Sequence, residues 1–249
     1  MSRRLPSLYR EEMAYSKSQI DRAGQFVVQY IQDFMAGNLP SKDRQEIWFR
    51  ELHKVEWWRS EHARPLSRVA ANLRYYAAQE GRPVVAQRLK KLPTIGNKLG
   101  REPTMKLSRM ADIGGVRAVF LTQDAAYMVA AKLKKNWTIT RFRDYVAEPK
   151  QDGYRALHLI NRNRGRLIEV QLRTMNQDMW ANDVESASRM FAPGLKYGGG
   201  PEGLRVYFMA LAESYARIDQ RLPHDPIVSR RIWNALNGRS TLKQFLNEP

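Results

Sequence analysis

The sequence predicts a single α+β domain, a mixed and mostly antiparallel β-sheet flanked by helices. Three observations carry that prediction: apolar residues recur at helical spacing in the first third, alternate in the centre, and return to helical spacing after Met175. At 249 residues, with 43% apolar and 10% aromatic content, the chain can bury a full core. No repeat, low-complexity tract or Gly/Ser linker divides it. Residues 1–249 therefore read as one domain, with a motif-bearing centre at about 83–190 and helical flanks.

In the first third, Ala23, Val27, Ile31 and Phe34 repeat at helical spacing until Gly37-Asn38-Leu39-Pro40 breaks the pattern. Leu66, Val69, Leu73 and Tyr76 repeat the signal, which Gly81 and Pro83 end. In the centre, residues 116–121, 137–146, 155–160 and 167–173 read as strands, with a helix over 125–135 between the first two. Leu204, Tyr207, Phe208, Leu211, Tyr215 and Ile218 then form one long helical stripe, suited to core or to a subunit contact.

Composition removes several chemistries. With no cysteine, disulfides, thiolate metal sites and a cysteine nucleophile are excluded. Four histidines, scattered at His53, His62, His158 and His224, do not make a histidine-rich metal centre. Met1-Ser2-Arg3-Arg4-Leu5-Pro6 opens without an apolar signal segment, and no uncharged run is long enough to span a bilayer. A cytoplasmic protein without a membrane partner is the expectation. The 42 Lys and Arg outnumber the 25 Asp and Glu by 17, a self-repulsion more readily tolerated when the partner is a polyanion. Nucleotide phosphates engage only a few of those cations, whereas a nucleic-acid backbone engages more. A generally basic, solvated surface is the other reading.

Four islands carry chemistry. The run from Arg88 to Lys98, followed by Arg101, sets cations beside Gly and Pro, a composition able to wrap phosphates or simply to face solvent. Asp112-Ile113-Gly114-Gly115 precedes an apolar strand, so its acid stands where Mg²⁺ could be held, or where a turn is capped. Lys150-Gln151-Asp152-Gly153-Tyr154 opens a turn, after which alternation puts Tyr154 and His158 on one strand face, for base stacking or for ordinary packing. Between 167 and 174, Glu169, Gln171 and Arg173 share one face while Ile168, Val170 and Leu172 share the other. An acid, an amide and a guanidinium in a row make a polar site floor or a solvent-facing surface.

Together, "RLKKLPTIGNKL", "DIGGVRAVF", "GYRALHLI" and "IEVQLRTMNQDMWA" resemble, in order, the motifs of the synthetase domain of the RelA/SpoT family, over about residues 88–185. The resemblance implies a nucleotidyltransferase-like fold and transfer of pyrophosphate from ATP to a ribose 3′-hydroxyl. By the same resemblance Arg88 and Arg117 sandwich the adenine of ATP, and Lys90 and Lys98 hold its phosphates. Asp112 binds Mg²⁺, and Glu169 shares the metal or acts as base on the 3′-hydroxyl. Tyr154 stacks on the acceptor base, with His158, Gln171, Arg173 and Lys150 on the acceptor side. Cations and a metal are what such chemistry needs, because attack at the β-phosphorus builds charge on non-bridging oxygens.

The family uses two classes of acceptor. Small alarmone synthetases modify free guanosine or adenosine nucleotides, whereas toxic, phage- and prophage-linked members modify the 3′-terminal adenosine of tRNA. "YSKSQIDRAG", "WWRSEHARPL", "VVAQRLKKL" and the pattern of Gln171 to Thr174 with Gln177 and Trp180 resemble the toxic branch. The charge suits tRNA, with Lys132, Lys134, Lys135, Arg162, Arg164 and Arg166 as candidate contacts. Asp152 departs from the Asn or Ser common in guanosine-using relatives and argues against a free guanosine acceptor. Glu185 is followed by Ser186 rather than by the family's usual histidine. Too few residues follow the last long helix for a fused antitoxin, so a separately encoded antitoxin is expected. His224-Asp225 imitates the hydrolase metal pair without its other ligands and reads as a loop, so no hydrolase activity is expected. A catalytically inactive RNA- or protein-binding module is the remaining alternative.

Overall fold

The computed structural model of the chain describes residues 14–81, 83–190, 194–195 and 199–237; the N-terminal hexapeptide read above lies outside them. Helix α1 (Lys17–Met35) starts at Ser16, whose side chain caps the Gln19 amide while Gln19 caps Ser16 in return. Helix α2 (Lys42–Ser60) is capped by the Ser41 hydroxyl, and α3 (Ala63–Ala78) follows almost at once. Ile20, Ala23 and Val27 of α1 pack against Val55 and Trp58 of α2. They also meet Ile95 and Leu99 of a further helix, α4 (Leu92–Arg101). The α1 stripe is buried only in its first half, since Ile31 and Phe34 are exposed.

The sheet holds five strands: β1 (Val84–Leu89), β2 (Gly114–Phe120), β3 (Ile139–Asp144), β4 (Leu157–Asn163) and β5 (Arg166–Thr174). Their order is β1-β2-β5-β4-β3; β2 and β5 run parallel and every other pair is antiparallel. The mixed, mostly antiparallel sheet is therefore as the sequence predicts. Its core face carries Val116, Ala118, Leu157, Leu159, Ile168, Val170 and Leu172. Helix α3 covers that face together with α5 (Gln123–Asn136), through Leu66, Val69, Leu73, Val129 and Leu133. Each such side chain contributes about 1.5–3 kcal/mol on burial. A slip of one residue in β5 would turn that whole row outward and bury Glu169, Gln171 and Arg173 instead, so the apolar row fixes the register of the polar one.

Three further helices complete the described residues: α6 (Met175–Met190), α7 (Glu202–Asp219) and α8 (Pro226–Asn237). The long C-terminal stripe is intrachain core, because Leu204 and Phe208 of α7 pack on Trp180 and Val184 of α6. Ile218, at its end, is exposed. His224 and Asp225 lie in the loop before α8, where His224 hydrogen-bonds Ser229 at 2.7 Å and Asp225 accepts the Ile227 amide. Strand β1 and helices α2 and α4 are additions to the sequence reading, and β4 begins at Leu157 rather than at 155. Tyr154 consequently sits in the turn before the strand.

Candidate active site

The polar face of the sheet is the floor of a cleft of about 430 Å³. Register sets its rows: Ala86, Arg117, Gln171 and His158 stand side by side across β1, β2, β5 and β4. The next row is Arg88, Gly115, Glu169 and Ile160. Arg88, Asp112, Arg117, Glu169, Gln171 and Arg173 line this cleft. Lys150, Tyr154 and His158 line it too. One concavity thus gathers residues spread along the chain from Arg88 to Arg173.

The Asp112 carboxylate takes one lysine on each oxygen, Lys90 Nζ at 2.8 Å and Lys98 Nζ at 3.0 Å. Burial works to raise its pKa, but the hydrogen bonds and charges of Lys90 and Lys98 outweigh burial and hold it below the usual range. Lys90 is itself fixed through its backbone, whose amide donates to Ile113 and whose carbonyl accepts Arg59 Nε at 2.7 Å. Lys98 projects from α4, a helix that starts with Pro93 in its first turn, a position that needs no amide donor. Gly114 packs so closely that an added Cβ would stand 2.8 Å from Ile168 Cδ1, which fixes the approach of β2 beside Asp112.

Around Glu169 the side chains close into a hydrogen-bonded ring. Arg173 Nη2 donates to the Tyr154 hydroxyl at 2.8 Å and to Gln171 Oε1 at 2.9 Å. Having accepted from Arg173, Tyr154 directs its own proton to His158 Nε2, 2.6 Å away. His158 therefore carries its hydrogen on Nδ1 and donates it to Glu169 Oε1 at 3.1 Å. The second branch ends on the same carboxylate, because Gln171 Nε2 donates to Glu169 Oε2 at 2.8 Å. Burial and the charge of Asp112 push the Glu169 pKa up, while the bonds from His158 and Gln171 pull it down, and the net direction is down. Burial raises the Tyr154 phenol despite the opposing charge of Arg173.

Sequence reasoning gave no role to Asp178, in the first turn of α6. Its Oδ1 receives both Arg117 Nη1 at 2.9 Å and Arg173 Nη1 at 3.1 Å, so it ties the β2 arginine to the hydrogen-bonded ring. An acid in a helix's first turn usually only complements the dipole, which hides such a role in the sequence. Thr174 and Gln177 cap α6 reciprocally: the Thr174 amide donates to the Gln177 side chain, and the Gln177 amide to the Thr174 hydroxyl. Asp152 accepts the Tyr154 amide at 2.9 Å and lines the cleft beside it. Lys150 Nζ stands 4.8 Å from the ring centres of both Tyr145 and Tyr154.

The six candidate RNA contacts scatter. Lys132, Lys134 and Lys135 belong to α5, which covers the core face of the sheet, opposite the cleft. Lys132 is bound to Glu80 and Gln79, and Lys134 lies over Phe142. Arg166 stacks on Trp58 at 4.1 Å and pairs with Glu61. Arg164 occupies the β4–β5 turn with φ 48°. Arg162 alone shares the cleft face of the sheet, by its alternation with His158 and Ile160.

Comparison with known proteins agrees with the fold. Residues 87–190 match the family model described as the region found in RelA/SpoT proteins. GTP pyrophosphokinase YjbM of Bacillus subtilis is 29% identical over 151 residues, 55% of this chain and 69% of that enzyme. The crystal structure of small alarmone synthetase 1 from Bacillus subtilis superposes with a TM-score of 0.58 at 25% identity, covering 68% of this chain and 93% of that one. The same enzyme bound to its product pppGpp gives 0.54 at 26% identity, covering 66% and 90%. Residues 87–190 thus carry the region found in RelA/SpoT proteins, on a fold shared with small alarmone synthetases, and these likenesses support an enzyme of the RelA/SpoT pyrophosphokinase type.

Proposed function

We propose that the chain moves the β,γ-pyrophosphoryl group of ATP to a ribose 3′-hydroxyl, and that the favoured acceptor is the 3′-terminal adenosine of tRNA, as in the toxic branch of the family. The observation that carries the transfer reaction is a single cleft that holds lysine-paired Asp112 and ring-held Glu169 close enough for the charge of one to act on the other. Arg88 and Arg117 stand diagonally on adjacent strands, about 7–8 Å apart at such positions. That interval suits one aromatic ring stacked at about 3.5 Å from each guanidinium plane.

Asp112 and Glu169 would hold Mg²⁺, which takes one or two carboxylates and completes its shell with phosphate oxygens and water. When bound, the ion neutralises charge on the transferring group. Lys90 and Lys98, exchanging Asp112 for phosphate, add positive charge at the same point. Glu169 receives the hydroxyl proton. Its lowered pKa makes it a weak base, which suffices where the transition state is loose and positioning dominates. Tyr154 offers its ring to the acceptor base, and Lys150 closes over that ring.

The excess of 17 positive charges supports an RNA acceptor. One observation favours a second reading, synthesis of guanosine or adenosine alarmones from free nucleotides: the similar structures include an enzyme solved with pppGpp. Label transfer decides between them: β- or γ-labelled ATP with Mg²⁺ is offered deacylated tRNA, GDP, GTP or AMP, with Glu169→Gln as the chemical control. Label on tRNA supports the toxin reading, and label on free nucleotides alone replaces it with the alarmone reading. The toxin reading also implies a separately encoded antitoxin, and robust growth on strong expression of the chain alone counts against both.

A further inference from the structure

The register of β3 puts two arginines that the motifs do not include on the catalytic face. Arg143 pairs with His158, which pairs with Gln171; Arg141 pairs with Ile160, which pairs with Glu169. Paired residues of adjacent strands share a face, so both arginines extend the two catalytic rows to the outer edge of the sheet. Arg162, two positions beyond Ile160 on β4, stands on that face as well. All three are exposed, and none has an acidic partner among the described residues. Of the carboxylates that line the cleft, Asp112, Asp152, Glu169 and Glu185, the first and third are engaged by other cations and donors, as is Asp178, paired with Arg117.

We propose that Arg141, Arg143 and Arg162 form a cationic track that holds backbone phosphates of a single-stranded RNA 3′ end, on the nucleotides preceding the acceptor ribose. The inference rests on the tRNA reading of the same site and names the surface that selects it. The dimensions favour a chain of phosphates over a single nucleotide. The rows of His158 and Arg162 are four residues apart, about 13 Å along the strand, farther than one diphosphate reaches. Arg141 and Arg143 are about 7 Å apart, a step that successive phosphates can follow. Extended single strands track such grooves through charge while one base stacks on an aromatic ring, here Tyr154 beside His158. The α5 lysines cannot join the track, since they belong to the opposite face.

The test uses the full chain with Arg141, Arg143 and Arg162 all changed to Gln, substitutions at exposed positions outside the catalytic ring. Pyrophosphoryl transfer to deacylated tRNA is followed against salt concentration, together with the KM for ATP. The track predicts that KM for tRNA rises about tenfold or more, with kcat at saturation and KM for ATP unchanged. The salt slope should flatten by about 2, since each single-strand phosphate no longer neutralised removes about 0.7 from it. If the wild-type chain labels tRNA but the variant keeps its KM and salt slope, the track is overturned while the tRNA reading stands. If wild-type chain labels only free nucleotides, the track falls together with that reading. If the variant raises KM for a free nucleotide as much as for tRNA, the arginines serve its 5′-phosphates, and the RNA track is overturned.

Discussion

Asp112 and Glu169 share one cleft and both titrate below the ordinary carboxylate range, yet they are held by different means. The partners of Asp112 are two ammonium groups on flexible stems, from the residue after β1 and from α4. Those of Glu169 are a tautomer-fixed imidazole and a side-chain amide on adjoining strands, both steered by the buried Arg173. The donor end is an ion-exchange arrangement, in which each lysine can leave the acid for a phosphate. The acceptor end is preorganised, because no member of the ring moves without breaking a second bond. On the proposed reading, the surroundings of Asp112 would change on loading, while those of Glu169 would stay still as a hydroxyl is aimed.

The hardest blow to that contrast is Glu169→Gln, which keeps the shape of the ring but removes its proton acceptor. Turnover should fall about 10²–10⁴-fold with ATP binding retained. Measured kcat and KM for ATP decide: a loss confined to KM would make Glu169 a donor-end residue. Next comes acid sensitivity of the scaffold under the donor end, where buried His62 packs near Gly114 and hydrogen-bonds the Trp58 carbonyl. Burial pushes its pKa from 6.5 down to about 4. The unfolded chain therefore binds the extra proton, so the His62 contribution is complete above pH 6.5 and drains away as pH falls toward 4. The loss totals about 3 kcal/mol. Urea midpoints at about pH 7 and about pH 4.5, compared with His62→Gln, should show the slope in wild type and a shallower one in the variant.

Asp112→Asn should cost about 10–100-fold in the Mg²⁺ dependence of turnover, as metal affinity falls. An unchanged Mg²⁺ requirement would remove Asp112 from the metal. The smallest effect belongs to Tyr154→Phe, which keeps the stacking ring but cuts one branch of the acceptor network. With the Gln171 branch intact, kcat should drop about tenfold or less while acceptor KM changes little. A large rise in acceptor KM instead would mean that the hydroxyl contacts the acceptor directly.

The two ends also differed in how far the sequence revealed them. The polar face of β5 was readable because Ile168, Val170 and Leu172 alternate with Glu169, Gln171 and Arg173 against a core that tolerates no slip. The donor end was harder. β1 is an edge strand with a partly exposed core face, so its alternation is faint, and the cations that follow it masked both the strand and α4. Pro93 and Gly96, which look like loop punctuation, instead open a helix and leave it close to Ile31 of α1. Side-chain networks were out of reach altogether. Tyr154 and His158 were grouped as strand neighbours, yet they meet because a turn brings the phenol back over the imidazole, with Gly153 at φ 93° held 2.8 Å from Ala212 at its would-be Cβ. No period in the sequence encodes the sharing of Asp178 by Arg117 and Arg173.

The lysine pair on Asp112 also has a consequence for metal entry, if the acid holds Mg²⁺ as proposed. A free divalent ion approaching that carboxylate must evict two ammonium groups that would be left with no anion of their own. An ion arriving on a triphosphate brings replacement anions for both lysines. On the proposed reading, the site would therefore respond to the metal–nucleotide complex more than to magnesium as such, and its output would follow energy supply rather than ionic balance.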